Sequence, residues 1–446
     1  MNLLYILLAI FIFGILIFIH ELGHFLAARR FGVPILEFAI GMGPKLFSKK
    51  SRKSGTVYSI RILPIGGFVS MLGENGMELA QGEQPEGETS EALALDPELE
   101  GRAYCNQSVW KRILISLAGP AMNVFLGFLL MLAVVLLSGH SSMGSTEIAG
   151  FYVAYTGEEE YQGFQNGDFI FSFDTTSDLD RVRSFDDFRQ KVSADEDGIF
   201  TVYVSRYNSE SMMSELVPLV GVALDDATVT NPNYFKMAGT EASGLRVGDK
   251  VLKVNSTSVH TAQELSYEVM NQGYRPLSLT ILRNGEKQTL NITVRETTEQ
   301  GVVFGELDFI VYREAKFDVG TVLKHTYFRS CSTVKMVYDS LVGLVTGRFG
   351  MEAVSGPVGI TKTISQTAKT GFVNVLYLIT VISINLGIMN LLPIPGLDGG
   401  HLLIYLIEAI RRKPMKRELE GLINFAGLLV MLALAVIIAI KDIITL

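Results

Sequence analysis

Residues 3–24 read LLYILLAIFIFGILIFIHELGH: an unbroken apolar run, Leu3 to Ile19, closes on His20, Glu21, Leu22, Gly23 and His24. A run of this length crosses a bilayer as a helix. Residues four apart on a helix share a face, so both imidazoles reach one zinc ion. The Glu between them is then the general base that takes a proton from water. Ionisable groups inside a membrane are costly and mark function. The stretch predicts a zinc hydrolase whose chemistry lies below the membrane surface.

Working outward, the 446 residues are 48% hydrophobic and 19% charged, with a mean hydropathy of +0.32. That is too apolar for a purely soluble enzyme, and a net charge of -8 gives no reason to expect nucleic acid as a partner. Three more stretches can span about 30 Å of hydrocarbon: Ile113–Leu137, Val373–Leu392 and Leu422–Ile440. No positive charge precedes the first stretch and no small-residue cleavage site follows it, which predicts a retained anchor.

Orientation follows from the basic residues flanking the spans. Arg29, Arg30, Lys45, Lys49, Lys50, Arg52, Lys53, Arg61, Arg102, Lys111 and Arg112 lie between spans one and two; Arg411, Arg412, Lys413, Lys416 and Arg417 lie between three and four. Both segments are expected in the cytoplasm, with both termini and the long central region outside. His24 then sits about 7 Å of helix rise from Arg29, and His20 about 13 Å. Cys105 and Cys331 fall on opposite sides and cannot pair.

The chain divides into span one with the histidine motif (1–30), a cytoplasmic loop (31–112), span two (113–138), an outer region (139–370), span three with an Asp motif (371–410), a basic loop (411–421) and span four (422–446). In the first loop, Thr56–Leu63 and Pro64–Met71 are β-rich runs flanking Pro and paired Gly, expected as a hairpin over 55–71 that dips back towards the membrane. Residues 74–100 hold nine acidic and no basic side chains, the composition of a solvated, mobile loop.

The outer region is expected to hold two related modules, 139–219 and 220–312. Ser243 to Asn255, with Gly248-Asp249 before an apolar strand, a helical Thr261–Asn271 and an Asn284-Gly285 turn, resembles a PDZ domain. Gly163 to Ile170, with Gly167-Asp168, repeats the outline more faintly. Beyond them, within 313–370, Val322–Leu344 reads as an amphipathic helix at the outer interface.

Zinc in a hydrolase takes three protein ligands and leaves one position for water. The candidate third ligand is Asp398, in Asn390-Leu391-Leu392-Pro393-Ile394-Pro395-Gly396-Leu397-Asp398-Gly399-Gly400-His401, at the depth and on the side of His24. His401 is the rival. His140, His260 and His325 read as ordinary surface residues of the outer side. Cleaving within a helix requires unwinding it, and the freed backbone needs new partners. An edge strand supplies them by β-augmentation. Asn385 and Asn390 add side-chain donors or else bond neighbouring helices, and Gly66 and Gly67 allow close approach.

The whole chain resembles the bacterial site-2 proteases of regulated intramembrane proteolysis, of the regulator-of-sigma-E-protease type. The resemblance rests on His20 to His24, Gly119-Pro120-Ala121-Met122-Asn123, the tandem modules, Ser355-Gly356-Pro357-Val358-Gly359-Ile360, and Asn390 to Gly400, in that order. It implies a multi-pass α-helical membrane protein with a re-entrant hairpin and outer tandem PDZ (α+β) domains. It also implies one Zn2+ held by His20, His24 and Asp398, with Glu21 as base. Asn385, Asn390, Pro393 and Pro395 would line the substrate site, and the hairpin would present its edge. Clients would be single-span proteins such as anti-sigma factors, or signal-peptide remnants, after a first cut outside. The PDZ modules would act as a size filter or capture a new C-terminus; the grooves lack a complete carboxylate-binding loop, which favours the filter. A membrane PDZ scaffold without catalysis is the alternative; the intact Glu21 argues against it.

Overall fold

The computed structural model describes residues 3–74, 99, 101–195, 197–208, 213–272, 275–299, 302–350, 354–415 and 417–444; the acidic 74–100 segment lies almost wholly outside them. The main helices are α1 (Leu3–Phe31), α2 (Val109–Ser138), α3 (Phe185–Ser193), α4 (Ala262–Gln272), α5 (Val319–Val345), α6 (Pro357–Thr370), α7 (Phe372–Asn390), α8 (Asp398–Arg411) and α9 (Arg417–Ile444). The chain forms two compact units. One comprises Met1–Met131, Val354–Ala368 and Asn374–Leu446; the other comprises Leu132–Ala353 and Lys369–Val373.

In the first unit α1, α2, α7 and α9 are each long and apolar enough to cross a membrane. Much of their apolar surface is exposed, most of all on α9, where Leu422, Phe425, Leu428 and Val430 point outward. Water does not tolerate a face of that size. Leu16 and Ile12 of α1 pack with Leu126 of α2, Ile364 of α6 and Leu378 and Ile382 of α7. The first turn of α6 is held by a carboxylate: Asp442 Oδ2 accepts the N–H groups of Gly356 at 2.9 Å and Gly359 at 2.8 Å. An acid at a helix N-terminus satisfies orphan donors and opposes the helix dipole, so the Ser355–Ile360 motif is a socket for Asp442.

The ribbon after α1 is built differently from the hairpin expected over 55–71. Strands β1 (Ile35–Lys50) and β2 (Val57–Met71) are joined by a turn at 51–56. Both strands bend, so that Glu37–Ile40 has a neighbour on each side: Glu37 pairs with Val57 and Ser70, Ile40 with Ile60 and Gly67. The two β-rich runs are thus separated by a strand from upstream. Phe38 fixes the arrangement, meeting Phe18 and Phe25 of α1 at ring distances of 5.8 and 5.2 Å.

The second unit carries two sheets over two separate cores. One sheet runs β7-β6-β5-β4-β8: Met213–Ala223, Ile199–Asn208, Phe169–Phe173, Ala154–Tyr155 and Phe235–Lys236. The other runs β12-β11-β9-β3-β15: Glu286–Ile292, Leu277–Arg283, Lys250–Val254, Gly144–Phe151 and Phe309–Arg313, with β10 (Thr257–Ser258) beside β9. Strands β13 (Arg295–Glu299) and β14 (Val302–Glu306) form a hairpin of their own. The expected boundary between 219 and 220 does not follow these sheets. Strand β3 belongs to the later module, and the earlier one is inserted between β3 and β9, because Ile148 and Phe151 bury in the core of Val251, Leu265 and Leu279. Asn284 and Gly285 both take the positive φ of a type I′ turn.

The modules repeat one device. Asp168 accepts Arg206 Nε at 2.8 Å and Nη2 at 2.6 Å, with the Gln165 N–H at 2.9 Å. Asp249 accepts Arg283 Nε at 2.7 Å and Nη2 at 2.6 Å, with the Arg246 N–H at 2.8 Å. Helix α5 runs along α4, where Tyr267 donates to Asp339 at 2.8 Å and His260 stacks on Phe328. Its polar residues His325, Ser330 and Thr333 are buried while Leu323, Tyr327 and Tyr338 are exposed. His325, expected on the surface, is 1% exposed and lies 3.5 Å from Glu314.

Candidate metal centre

The site is built on α1, α2 and the first turn of α8. His20 and His24 present their Nε2 atoms 3.2 Å apart. Asp398 Oδ2 lies 3.0 Å from His20 Nε2 and 3.3 Å from His24 Nε2. Helix α2 supplies no ligand but sets both rings. His24 Nδ1 donates to the Ile115 carbonyl at 2.8 Å, and His20 Nδ1 faces the Asn123 amide at 3.2 Å. Asn123 is fully buried, and with its Nδ2 towards His20 its Oδ1 has no partner. Turning the amide over gives that oxygen the Nδ1–H of His20, a choice the chemistry favours. Gly119 is what lets the rings lie on α2: a Cβ there would fall 2.2 Å from His24 Nε2 and 2.9 Å from His20 Nε2.

With both Nδ1 protons turned outward, three lone-pair atoms converge on one point. Asp398 Oδ2 is buried and has no hydrogen-bond donor. Such a cluster repels itself unless a cation sits in it. Two imidazoles and a carboxylate are a zinc donor set, and four-coordinate zinc with bonds of about 2.1 Å holds its ligand atoms about 3.4 Å apart, close to the spacing here. These three residues fit the metal. Each imidazole also carries the outer hydrogen bond that zinc-binding histidines use to fix their tautomer.

Glu21 lies next to the cluster and against the ribbon. A Cβ on Gly67 would stand 3.3 Å from Glu21 Cγ and 3.0 Å from the Ala39 carbonyl. The backbone N–H of Val69 is turned towards the Glu21 carboxylate. The β2 edge at Gly67–Ser70, paired on its other side with Glu37–Ile40, therefore faces the carboxylate.

The other expected residues gather less closely. Asn385 is exposed, and the Asn390 amide donates to Leu386 O of its own helix at 3.0 Å. Pro393 is exposed, Pro395 packs on Gly427 of α9, and Gly66 lies against Met42. His401 faces α9, 3.5 Å from both Glu420 and Asn424, away from the three-residue cluster. The roles of Asn123 and the Ile115 carbonyl were not read from sequence, although a lone Asn in an apolar span is itself a signal. A further hold on α8 has no local signature in the sequence: Arg112 of α2 donates to Glu408 at 2.6 Å and stacks over Tyr405.

A model of Peptidase family M50 matches residues 8–434. The chain is 30% identical over 440 residues to "Zinc metalloprotease RasP" of Geobacillus kaustophilus, covering 97% of this chain and 96% of that protein. It is 29% identical over 445 residues to "Regulator of sigma-W protease RasP" of Bacillus subtilis, covering 97% of each. It is 30% identical over 440 residues to "Probable protease eep" of Enterococcus faecalis, again covering 97% of each.

Proposed function

Because this chain belongs to peptidase family M50 and is a zinc metalloprotease, we propose that it hydrolyses peptide bonds within the membrane segments of single-span proteins. His20, His24 and Asp398 hold one zinc ion and Glu21 is the general base. The observation that carries this is the convergence of three lone-pair atoms beside a glutamate at an open strand edge. A zinc ion held there would polarise the scissile carbonyl and acidify a water. Glu21 takes a proton from the attacking water as its oxygen bonds to the carbonyl carbon, and hands that proton to the amide nitrogen as the C–N bond breaks. The Gly67–Ser70 edge accepts the unwound substrate as an added strand, replacing the helix hydrogen bonds it has lost. Asn390 would have to release Leu386 O to join it.

The clients are anti-sigma factors, in line with the name of the Bacillus subtilis relative, and signal-peptide remnants, after a first cut outside the membrane. The two nested modules are PDZ domains on the outer side and act as a filter against bulky ectodomains. The active site lies towards the cytoplasmic face of a bacterial plasma membrane. The test compares wild type with Glu21→Gln on a single-span reporter with a short ectodomain, with and without a zinc chelator. Cleavage by wild type alone, lost on chelation, is the expected result. Equal cleavage by the variant would end the assignment of Glu21.

A further inference from the structure

The ribbon changes character along its length. Its inner part lies against α1 and Glu21. Its outer part does not: Met42 to Lys50 and Arg52 to Gly55 are all exposed. The register sets Phe47 opposite Ile60, and Ile62 follows on the same face. These side chains stand 62%, 49% and 50% exposed, an uncovered apolar strip. Past it comes the turn. From Lys45 to Lys53 there are five cations and no carboxylate, in a chain whose net charge is -8. Lys45 is paired with Glu37 at 3.2 Å; Lys49, Lys50, Arg52 and Lys53 have no ion pair among the described residues.

We propose that the outer ribbon docks on the headgroup layer of an anionic leaflet. Phe47, Ile60 and Ile62 lie at the acyl boundary, and Lys49, Lys50, Arg52 and Lys53 bind lipid phosphates. An apolar strip bordered by clustered cations is what such a surface recognises. The nine carboxylates of the acidic run 74–100 match the charge but offer no acyl layer to Phe47, Ile60 and Ile62. The charges also keep the turn at 51–56 out of hydrocarbon, where four unpaired cations would enter at high cost. Lying in the interface keeps them wet and leaves the inner edge beside Glu21. Anionic lipid thereby steadies the strand to which substrate adds. The proposal rests on the chain's membrane placement.

The test uses the full chain with Cys105→Ser and Cys331→Ser and a nitroxide on Ser48→Cys. It is reconstituted in nanodiscs of phosphatidylcholine alone or with phosphatidylglycerol, and zinc content confirms each variant is folded. With phosphatidylglycerol the label should gain oxygen contact and lose contact with a soluble nickel chelate, and high salt should reverse this. Changing Lys49, Lys50, Arg52 and Lys53 to Gln should lower the docked-to-free ratio about fivefold per charge. Arg at the three lysines should retain it. A label indifferent to lipid charge and to the Gln set overturns the proposal; so does bilayer-centre depth in phosphatidylcholine alone. Proteolysis is not read, so docking and the protease assignment fail separately.

Discussion

Asp398 in one unit and Asp249 in the other are both withdrawn from water, and the protein treats them in opposite ways. Asp249 receives both prongs of Arg283 and a backbone N–H, so every charge has a donor. Asp168 repeats this with Arg206. Asp398 Oδ2 meets two nitrogens whose protons are turned away from it. Buried carboxylates normally find donors. A satisfied one holds a fold together; one deliberately left without donors holds a place for something else.

The sharpest way to break that contrast is the same substitution at both positions. Asp398→Asn should abolish zinc retention and cleavage. In metal-free protein it should unfold no lower than wild type, because it relieves lone-pair crowding. Asp249→Asn should leave zinc content unchanged and lower stability. Metal analysis and denaturant titration of the full chain read both arms, and a destabilised metal-free Asp398→Asn would erase the distinction. Next in size, Arg283→Met strands a buried carboxylate and should cost about 3 kcal/mol, with Arg206→Met similar. Smaller again, Asn123→Ala frees the His20 ring. Zinc affinity, measured by chelator competition, should weaken about 10- to 100-fold with little change in melting.

The mildest case is Glu241, which accepts the Phe185 N–H across the join of the two modules at 3.3 Å. Burial, with Asp186 and Asp308 nearby, lifts its carboxyl from 4.5 to about 7, against the pull of that N–H. Between those values the folded form keeps a proton that the unfolded form has released. Stability of this unit should therefore fall as pH rises from about 4.5 to about 7. Glu241→Gln should flatten that slope in pH-dependent melting.

What was legible in the sequence was whatever is local. Four apolar runs, the His20–His24 spacing and the Asn284-Gly285 turn each sit within one element, and each is where it was expected. Asp398 stood out as the candidate third ligand because a carboxylate right after an apolar span has few structural uses. What failed depended on pairing over distance. Nothing near Glu37 shows that it will lie between Val57 and Ser70, and nothing in Gly144–Phe151 names β9 as its neighbour. His325 looked like a surface residue because polar side chains normally mark the wet face; on α5 the exposed face is apolar. The partner of the Asn390 amide was not legible either, since its own helix offers a carbonyl one turn back.

The nesting of the two modules also sets a timetable. Strand β3 is made early, but β9 and β15, between which it lies, follow only after the whole inserted module, whose core of Tyr155, Phe164, Phe188 and Phe235 is self-contained. During synthesis the inserted module can close first, while β3 waits as an unpaired strand open to wrong partners. The host module is finished last. The insert can then lengthen or shrink without disturbing the order in which its host is completed.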